Sequence, residues 1–360
     1  MPSDHPTQTT PLRVGLIGFG LAGSVFHAPL IAAASGLQLT AIVTANPERA
    51  ALAQATYPQA TVYAQAQDLW QNRDELDLVV IASPNRTHKP LALEALNARL
   101  AVVVDKPLAV SAADATELAE LAEQNGLLLS AYQNRRWDGD FLTLQRLLAE
   151  GTLGQVRRYE SRFERWRPEP KPGWRQSGSA DDAGGVLYDL GSHLIDQALT
   201  LFGPVTTVYA ELDQHYPNAC VDDDSFVALT HRNGVRSHLW MSSVAAHDSH
   251  RLRVLGSRAA YCSTGLDGQE AGLKAGMRPD QPSWHDNIIG TRGSLIIGDD
   301  RTEFANDPGH YLAYYEQVAQ ALRQGTRPPV DPRDSASMLA IVEAAQQSAA
   351  SGQVVTLVKT

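Results

Sequence analysis

The chain has 360 residues, 43% of them hydrophobic and 19% charged, an ordinary globular balance with enough length for two domains. Its formal net charge of −10 at pH 7 argues against nucleic acid or an anionic membrane as the main partner, since both need a cationic face, and points to small-molecule ligands. Cys220 and Cys262, the only cysteines, provide no disulfide framework and no CxxC metal site, which suits a reducing compartment.

The opening segment MPSDHPTQTTP has neither the cationic start nor the apolar core of a signal peptide. No apolar run approaches the ~20 residues of a membrane span, so a cytoplasmic protein with a flexible tail over 1–11 is expected. From there short apolar runs alternate with helical patterns: LRVGLI (12–17), QLTAIV (38–43), LVVIAS (78–83), AVVV (101–104) and LLLSAY (127–132). Strands separated by helices mean a parallel sheet, and 12–134 is predicted to be a doubly wound α/β domain. Within it, Ala113, Leu118, Leu121 and Ala122 form the apolar stripe of a helix over 112–124, and Gly126 ends that helix where a left-handed residue is wanted.

The first strand runs into GFGLAG, residues 18–23. Gly18, Gly20 and Gly23 form GxGxxG between strand and helix: one glycine for the tight turn, one for backbone approach to a pyrophosphate, one for helix–strand packing, with Phe19, Leu21 and Ala22 completing the loop. At the end of the second strand, AIVTANPERA lacks the acidic residue that would bind the adenosine ribose of NAD. Thr44 and Arg49 there suit a 2′-phosphate, so NADP is expected to be preferred, with NAD as the alternative and Arg49 as a solvated helix residue in that case. SPNRTH (83–88) leaves the carboxyl end of its strand, the ligand side of such sheets, so Ser83, Pro84, Asn85 and His88 are expected near the nicotinamide half. Asn85 and Thr87 also suit helix caps.

In AVVVDKPLAV (101–110) a buried strand ends on Asp105 and Lys106, and Pro107 prevents it from continuing. Lys106 is therefore aimed across the cofactor, a cis Lys106–Pro107 bond being one way to turn it; the alternative is a surface lysine paired with Asp105. YQNRRWDGDF (132–141) marks the domain crossing, where Asn134 and Arg136 are substrate-binding candidates.

Residues 135–360 change texture to longer strands of period two, as in QVRRYESRFERW (155–166) and VRSHLWMSSVAA (235–246). Asn233-Gly234 and Gly256-Ser257 signal hairpins, and a C-terminal α+β domain with a large open, mainly antiparallel sheet follows. Long strands such as 235–246 carry Leu239, Met241 and Val244 with no obvious second layer to cover both faces, which predicts a homodimer or homotetramer through that sheet. The basic run from Arg157 to Arg175 carries Glu160, Glu164 and Glu169 and reads as a solvated strand face. Trp166, Trp174 and Arg175 flank a long loop, 168–185, and suit the walls of a site for a polyhydroxylated ring. GGVLYDLGSHLIDQALTLFG (184–203) reads as a helix with Asp189, His193 and Asp196 on one face and Leu190, Leu194, Ala198 and Leu201 beside it. A carboxylate one turn from an imidazole can prepare a general base; a helix-stabilising pair or a metal site with a third ligand are the rivals, and no further ligand cluster supports a metal.

Taken in order, GFGLAG, SPNRTH, DKP, NRRWD and DLGSHLID resemble the Gfo/Idh/MocA oxidoreductase family from about Leu12 to the C-terminus, and within it the branch of NADP-dependent scyllo-inositol dehydrogenases. The resemblance implies an N-terminal Rossmann domain and a C-terminal α/β domain whose open sheet forms an oligomer interface. It also implies hydride transfer between a secondary hydroxyl of a cyclic polyol or sugar and a nicotinamide. The family's catalytic lysine falls on Lys106, and its helix Asp and His fall on Asp189 and His193, which would also contact substrate. Asp105 stands where the family has Glu, a shorter reach. An NAD-dependent glycosidase on the same scaffold and a redox-silent NADP-binding sensor are the alternatives, although a sensor has no need of Lys106, Asp189 and His193 together.

Overall fold

The apolar runs of the first third do form strands. In the computed structural model, which describes residues 10–170, 178–247, 249–284 and 290–357, they are β1 (Leu12–Ile17), β2 (Leu37–Val43), β4 (Leu78–Ile81), β5 (Ala101–Asp105) and β6 (Leu129–Tyr132). A further strand, β3 (Thr61–Tyr63), is too short and too exposed to leave a pattern in the sequence. All six pair in parallel in the order β3-β2-β1-β4-β5-β6. Every residue of β4 is buried, as befits a central strand covered on both faces. The order reverses between β1 and β4, so the crevice at their carboxyl ends is the natural ligand position.

The helix Ala112–Asn125 is capped by Ser111, whose Oγ accepts the Asp114 N–H at 3.1 Å, and ends at Gly126 with φ +64°. Its buried stripe is Ala115, Leu118, Ala119 and Ala122; Leu118 and Ala122 are as expected, whereas Ala113 is exposed and Leu121 only half-buried.

The second sheet has nine strands: β7 (Val156–Glu164), β8 (Val205–Asp213), β9 (Asp224–His231), β10 (Arg236–Ser242), β11 (Leu252–Gly256), β12 (Ala260–Thr264), β13 (Arg292–Ile297), β14 (Asp300–Ala305) and β15 (Val355–Thr356). Their order is β14-β13-β12-β11-β7-β10-β9-β8-β15, antiparallel except for β7 beside β10. Both hairpins form, with Gly234 at φ +87° in one and the Gly256 N–H on the Ala259 carbonyl at 3.0 Å in the other.

One face of this sheet is covered. Leu239 and Met241 are fully buried, because residues Leu187–Gly191 and the helix Ser192–Phe202 pack on β10, with the helix Pro332–Ser351 packed on β8 beside them, and Val244 lies beyond β10 in a bridge with Trp166. The uncovered face is the alternate one, carrying half-buried Phe226, His238 and Trp240, with the Arg162 guanidinium 3.9 Å from the centre of the Trp240 ring. The basic run divides in the same way: Arg157 and Arg158 are exposed, but Glu160 is buried and accepts from Arg253 at 2.8 Å.

The crossing segment is a 3-10 turn, Asn134–Trp137, and both of its arginines are engaged. Arg136 donates to Asp196 at 2.8 and 2.6 Å and to Asp334 at 3.0 Å, so this substrate-binding candidate is taken up in tying the crossing to two helices. Arg135 is buried against Asp138, Tyr311 and Glu270. Burial pushes the Asp138 carboxyl up to about 7, with Asp140 and Asp267 adding to the shift and Arg135 and Arg251 opposing it. A carboxyl raised on folding contributes stability that is complete below its unfolded pKa, near 4, and is lost as pH rises through about 7. The melting temperature should therefore fall between about pH 4 and 7, and Asp138→Asn should flatten that fall. An unchanged profile in Asp138→Asn would remove this group from the account.

Candidate active site

The glycine turn sits at the β1/β4 crevice because nothing larger fits. Gly18 has φ +97°, and a Cβ there would lie 2.6 Å from the Ala82 carbonyl oxygen; a Cβ on Gly23 would lie 1.9 Å from the Gly18 oxygen. Gly20 is open: only Nη1 of Arg49 comes within reach, 3.6 Å from where its Cβ would be. Around it Phe19 is buried, Leu21 exposed and Ala22 half-buried. Asn46 caps the helix Pro47–Thr56 by accepting the Arg49 N–H at 2.9 Å, which starts that helix so that the Arg49 side chain overhangs the bare turn. Half-buried Thr44 lies beside it, its N–H on the Tyr63 carbonyl at 3.0 Å. A bare backbone cradle with a guanidinium above it fits a dinucleotide.

The Ser83–His88 turn is braced from both sides. The Ser83 and Thr87 hydroxyls are 2.6 Å apart, and the Thr87 hydroxyl donates to the Pro84 carbonyl at 2.7 Å. Asn85 is buried and donates to the Asp182 carbonyl at 3.1 Å, while Arg86 pairs with the Asp182 carboxylate at 2.9 Å. Asn85 thus ties the turn to the second domain, and the side chain of Thr87 makes no cap to the helix that follows it. His88 is buried with Nδ1 2.7 Å from the Pro107 carbonyl and Nε2 2.9 Å from that of Ser83. A neutral ring can donate to only one of them. Burial pulls the ring's pKa down, outweighing Asp105 and the two carbonyls, so His88 serves as a strut between the turn and the end of β5.

Lys106 stands at the end of β5, before a cis bond to Pro107. The Asp105 carboxylate accepts the Lys106 backbone N–H at 2.8 Å and lies 3.6 Å from His27 Nε2. Burial pushes the Asp105 carboxyl up, but His27, Lys106 and His88 outweigh it and hold it below the usual range. The Lys106 ammonium reaches the other way, donating to Asp189 twice: to its carbonyl at 2.6 Å and to its carboxylate at 2.9 Å. This double grip uses a local irregularity. Residues Leu187–Gly191 form a π-turn ahead of the helix Ser192–Phe202, and the extra residue in that turn accompanies a main-chain carbonyl that serves a side chain as acceptor.

The polar face expected on this helix therefore serves several partners: Asp189 meets Lys106, His193 meets Gln133, and Asp196 meets Arg136. His193 is buried with Nδ1 3.1 Å from the Gln133 Oε1. An amide oxygen only accepts, so the proton is on Nδ1 and the Nε2 lone pair is free of it. Burial holds the imidazole well below its usual 6.5, with Lys106 and Arg135 adding to the shift and Asp189 partly offsetting it. The Nε2 of Gln133 is buried and has no hydrogen-bond partner among the described residues. Asn134 is buried next to it in the chain, while Trp174 and Arg175 lie outside the described residues. Among the described residues no group of three or more His, Cys, Asp or Glu side chains is arranged to hold a metal ion, and no helix is long and apolar enough to cross a membrane. Gln133 is the residue that sequence reasoning passed over; its only signal is its place one residue past β6.

Known proteins share this arrangement of chain. Residues 12–133 match the family model described as the oxidoreductase family, NAD-binding Rossmann fold, and 145–357 match that of the same family's C-terminal alpha/beta domain. The chain is 41% identical to the uncharacterized oxidoreductase YdgJ of Escherichia coli K12, over 94% of this chain and 96% of that one. It is 33% identical to the scyllo-inositol 2-dehydrogenase (NADP(+)) IolW of Bacillus subtilis, over 94% and 93%. The solved structure of YPO2259 from Yersinia pestis superposes with a TM-score of 0.89 at 38% identity, covering 98% of this chain and 99% of that one.

Proposed function

The chain belongs to the Gfo/Idh/MocA oxidoreductase family, and from that premise we propose that it reversibly oxidises a secondary hydroxyl of a cyclic polyol or sugar, inositol-like in class, with NADP preferred over NAD. The observation that carries this reading is the Lys106 ammonium held by two Asp189 oxygens, with a neutral His193 on the same helix. The dinucleotide, when bound, supplies the hydride acceptor. It would be held by the Gly18–Gly23 turn, by Arg49 beside Gly20 and by the Ser83–His88 turn.

The chain's own residues manage the proton and the charge. His193, neutral at pH 7 with its proton on Nδ1, accepts the hydroxyl proton at Nε2. An ammonium has three donors; Asp189 takes two, and the third stabilises the same substrate oxygen as negative charge develops on it. Asp189 fixes the direction of that donor, and its charge favours the imidazolium that His193 becomes. The open face of the second sheet, with Phe226, His238 and Trp240, supports a homodimer or homotetramer. The two free cysteines suit a cytoplasmic setting.

The direct test follows reduced-nicotinamide absorbance with NADP and with NAD across inositols, aldoses and glycosides; no cofactor reduction with any of them would overturn the reading. Lys106→Met should cut kcat by ~10² to 10³ with the fold intact, the scale of a lost oxyanion donor, and near-normal turnover would deny this lysine a role. Arg49→Ala should erode the kcat/KM preference for NADP, whereas a tenfold preference for NAD in the unmodified enzyme would contradict the assignment. Light scattering at micromolar concentration should report a dimer or tetramer; a monomer would leave the open face without that explanation.

A further inference from the structure

Three guanidinium groups surround one ring in the second domain. Arg135, Arg165 and Arg251 lie 5.1, 4.7 and 5.3 Å from the centre of Phe163. Two of them have partners. Arg135 is neutralised by Asp138 and Glu270, and Arg251 donates to Ser161 Oγ at 2.5 Å and to Gln197 Oε1 at 3.2 Å. Arg165 is half-buried, yet among the described residues its side chain has no hydrogen bond and no carboxylate. Leaving such a cation half out of water without an acceptor is costly, and its planar fork of donors can be satisfied by a ligand's oxygens.

Its position points the same way. Along β7 the buried Tyr159, Ser161 and Phe163 face the helices, and Arg165 continues that parity, with its backbone N–H on the Ser242 carbonyl at 2.9 Å. Phe163 pairs with Met241 across the sheet, and the Met241 sulfur lies 2.9 Å from where a Cβ on Gly191 would be. Gly191 closes the π-turn that carries Asp189. The turn that grips Lys106 is therefore seated on the Met241–Phe163 pair, and Arg165 emerges next on the same face. Burial together with Arg167 pulls its pKa down, while Glu270 and Asp189 pull the other way, as fits a cation within the field of the site.

We infer that Arg165 is a substrate-binding residue whose guanidinium grips a pair of oxygens on the substrate, either a vicinal diol or a carboxylate. A planar fork of donors suits two adjacent oxygens, and among the described residues no protein carboxylate occupies it. The inference rests on the oxidoreductase reading and adds to it what the substrate must offer away from the reacting carbon.

Steady-state kinetics of Arg165→Met and Arg165→Lys with NADP, using scyllo-inositol and D-glucuronate as probes, tests it. Methionine keeps an apolar stem on Phe163 and removes the donors. KM for the substrate should rise about ten- to a hundredfold, the factor that goes with losing charge-assisted hydrogen bonds. Over the same change kcat should move by only a few-fold, and the dissociation constant for NADPH, read by fluorescence, should be unchanged. A preference for D-glucuronate that disappears in Arg165→Met identifies a carboxylate; a comparable loss with scyllo-inositol identifies a diol. Unchanged KM in Arg165→Met for every probe the unmodified enzyme oxidises would overturn the inference and leave the oxidoreductase reading standing. If the unmodified enzyme oxidises neither probe nor any other polyol, both fall together.

Discussion

The hold of Asp189 on the Lys106 ammonium is the contact on which the rest of the site depends. It joins the end of a parallel strand in one domain to an irregular helix turn in the other, through 2.6 and 2.9 Å hydrogen bonds. Each side has its own support. His88 links the Pro107 carbonyl to the Ser83 turn, and Asp105 takes the Lys106 backbone N–H, so the lysine leaves the strand in a fixed direction. On the far side Gly191 allows the π-turn to press on Met241, where a Cβ would lie 2.9 Å from the sulfur and displace that side chain. A small error at either support would misdirect the ammonium, and misplacement on the ångström scale is enough to cost catalysis heavily.

Burial sets the proton chemistry. His193 lies in surroundings that favour its neutral form, since desolvation and three cations, Lys106, Arg135 and Arg251, all act against a charge there. Asp189 contributes to this site in a different way from the simplest reading of an Asp and His one turn apart: its carboxylate meets the lysine, and the contact at Nδ1 of the imidazole comes from Gln133. Charge is likewise distributed at the domain crossing, where Arg135 and Arg136 are consumed by carboxylates while Arg165, outside that network, is left over.

Much of this was legible in the amino-acid sequence, for identifiable reasons. The parallel strands announce themselves because both faces are buried and the sequence shows it as unbroken apolar runs. The glycine turn is readable because steric limits at Gly18 and Gly23 exclude every other residue. β3 was not legible, having three residues and no buried face. The cover over Leu239 and Met241 was hidden because it comes from a distant part of the chain, Leu187–Gly191 and Ser192–Phe202. Arg165 was hidden for a related reason: charges alternating along a strand look solvated until the sheet shows which parity faces the helices.

The most direct measurement is the pH dependence of kcat/KM for polyol oxidation at saturating NADP, because it reports the base in the enzyme–NADP complex before the polyol binds. His193 must be neutral to accept a proton, and its pKa lies well below 6.5, so the rate should stay level from pH 8 down to about 6.5 and fall only at lower pH. An acid limb centred at about 7 or above would contradict a buried, neutral His193 as the base.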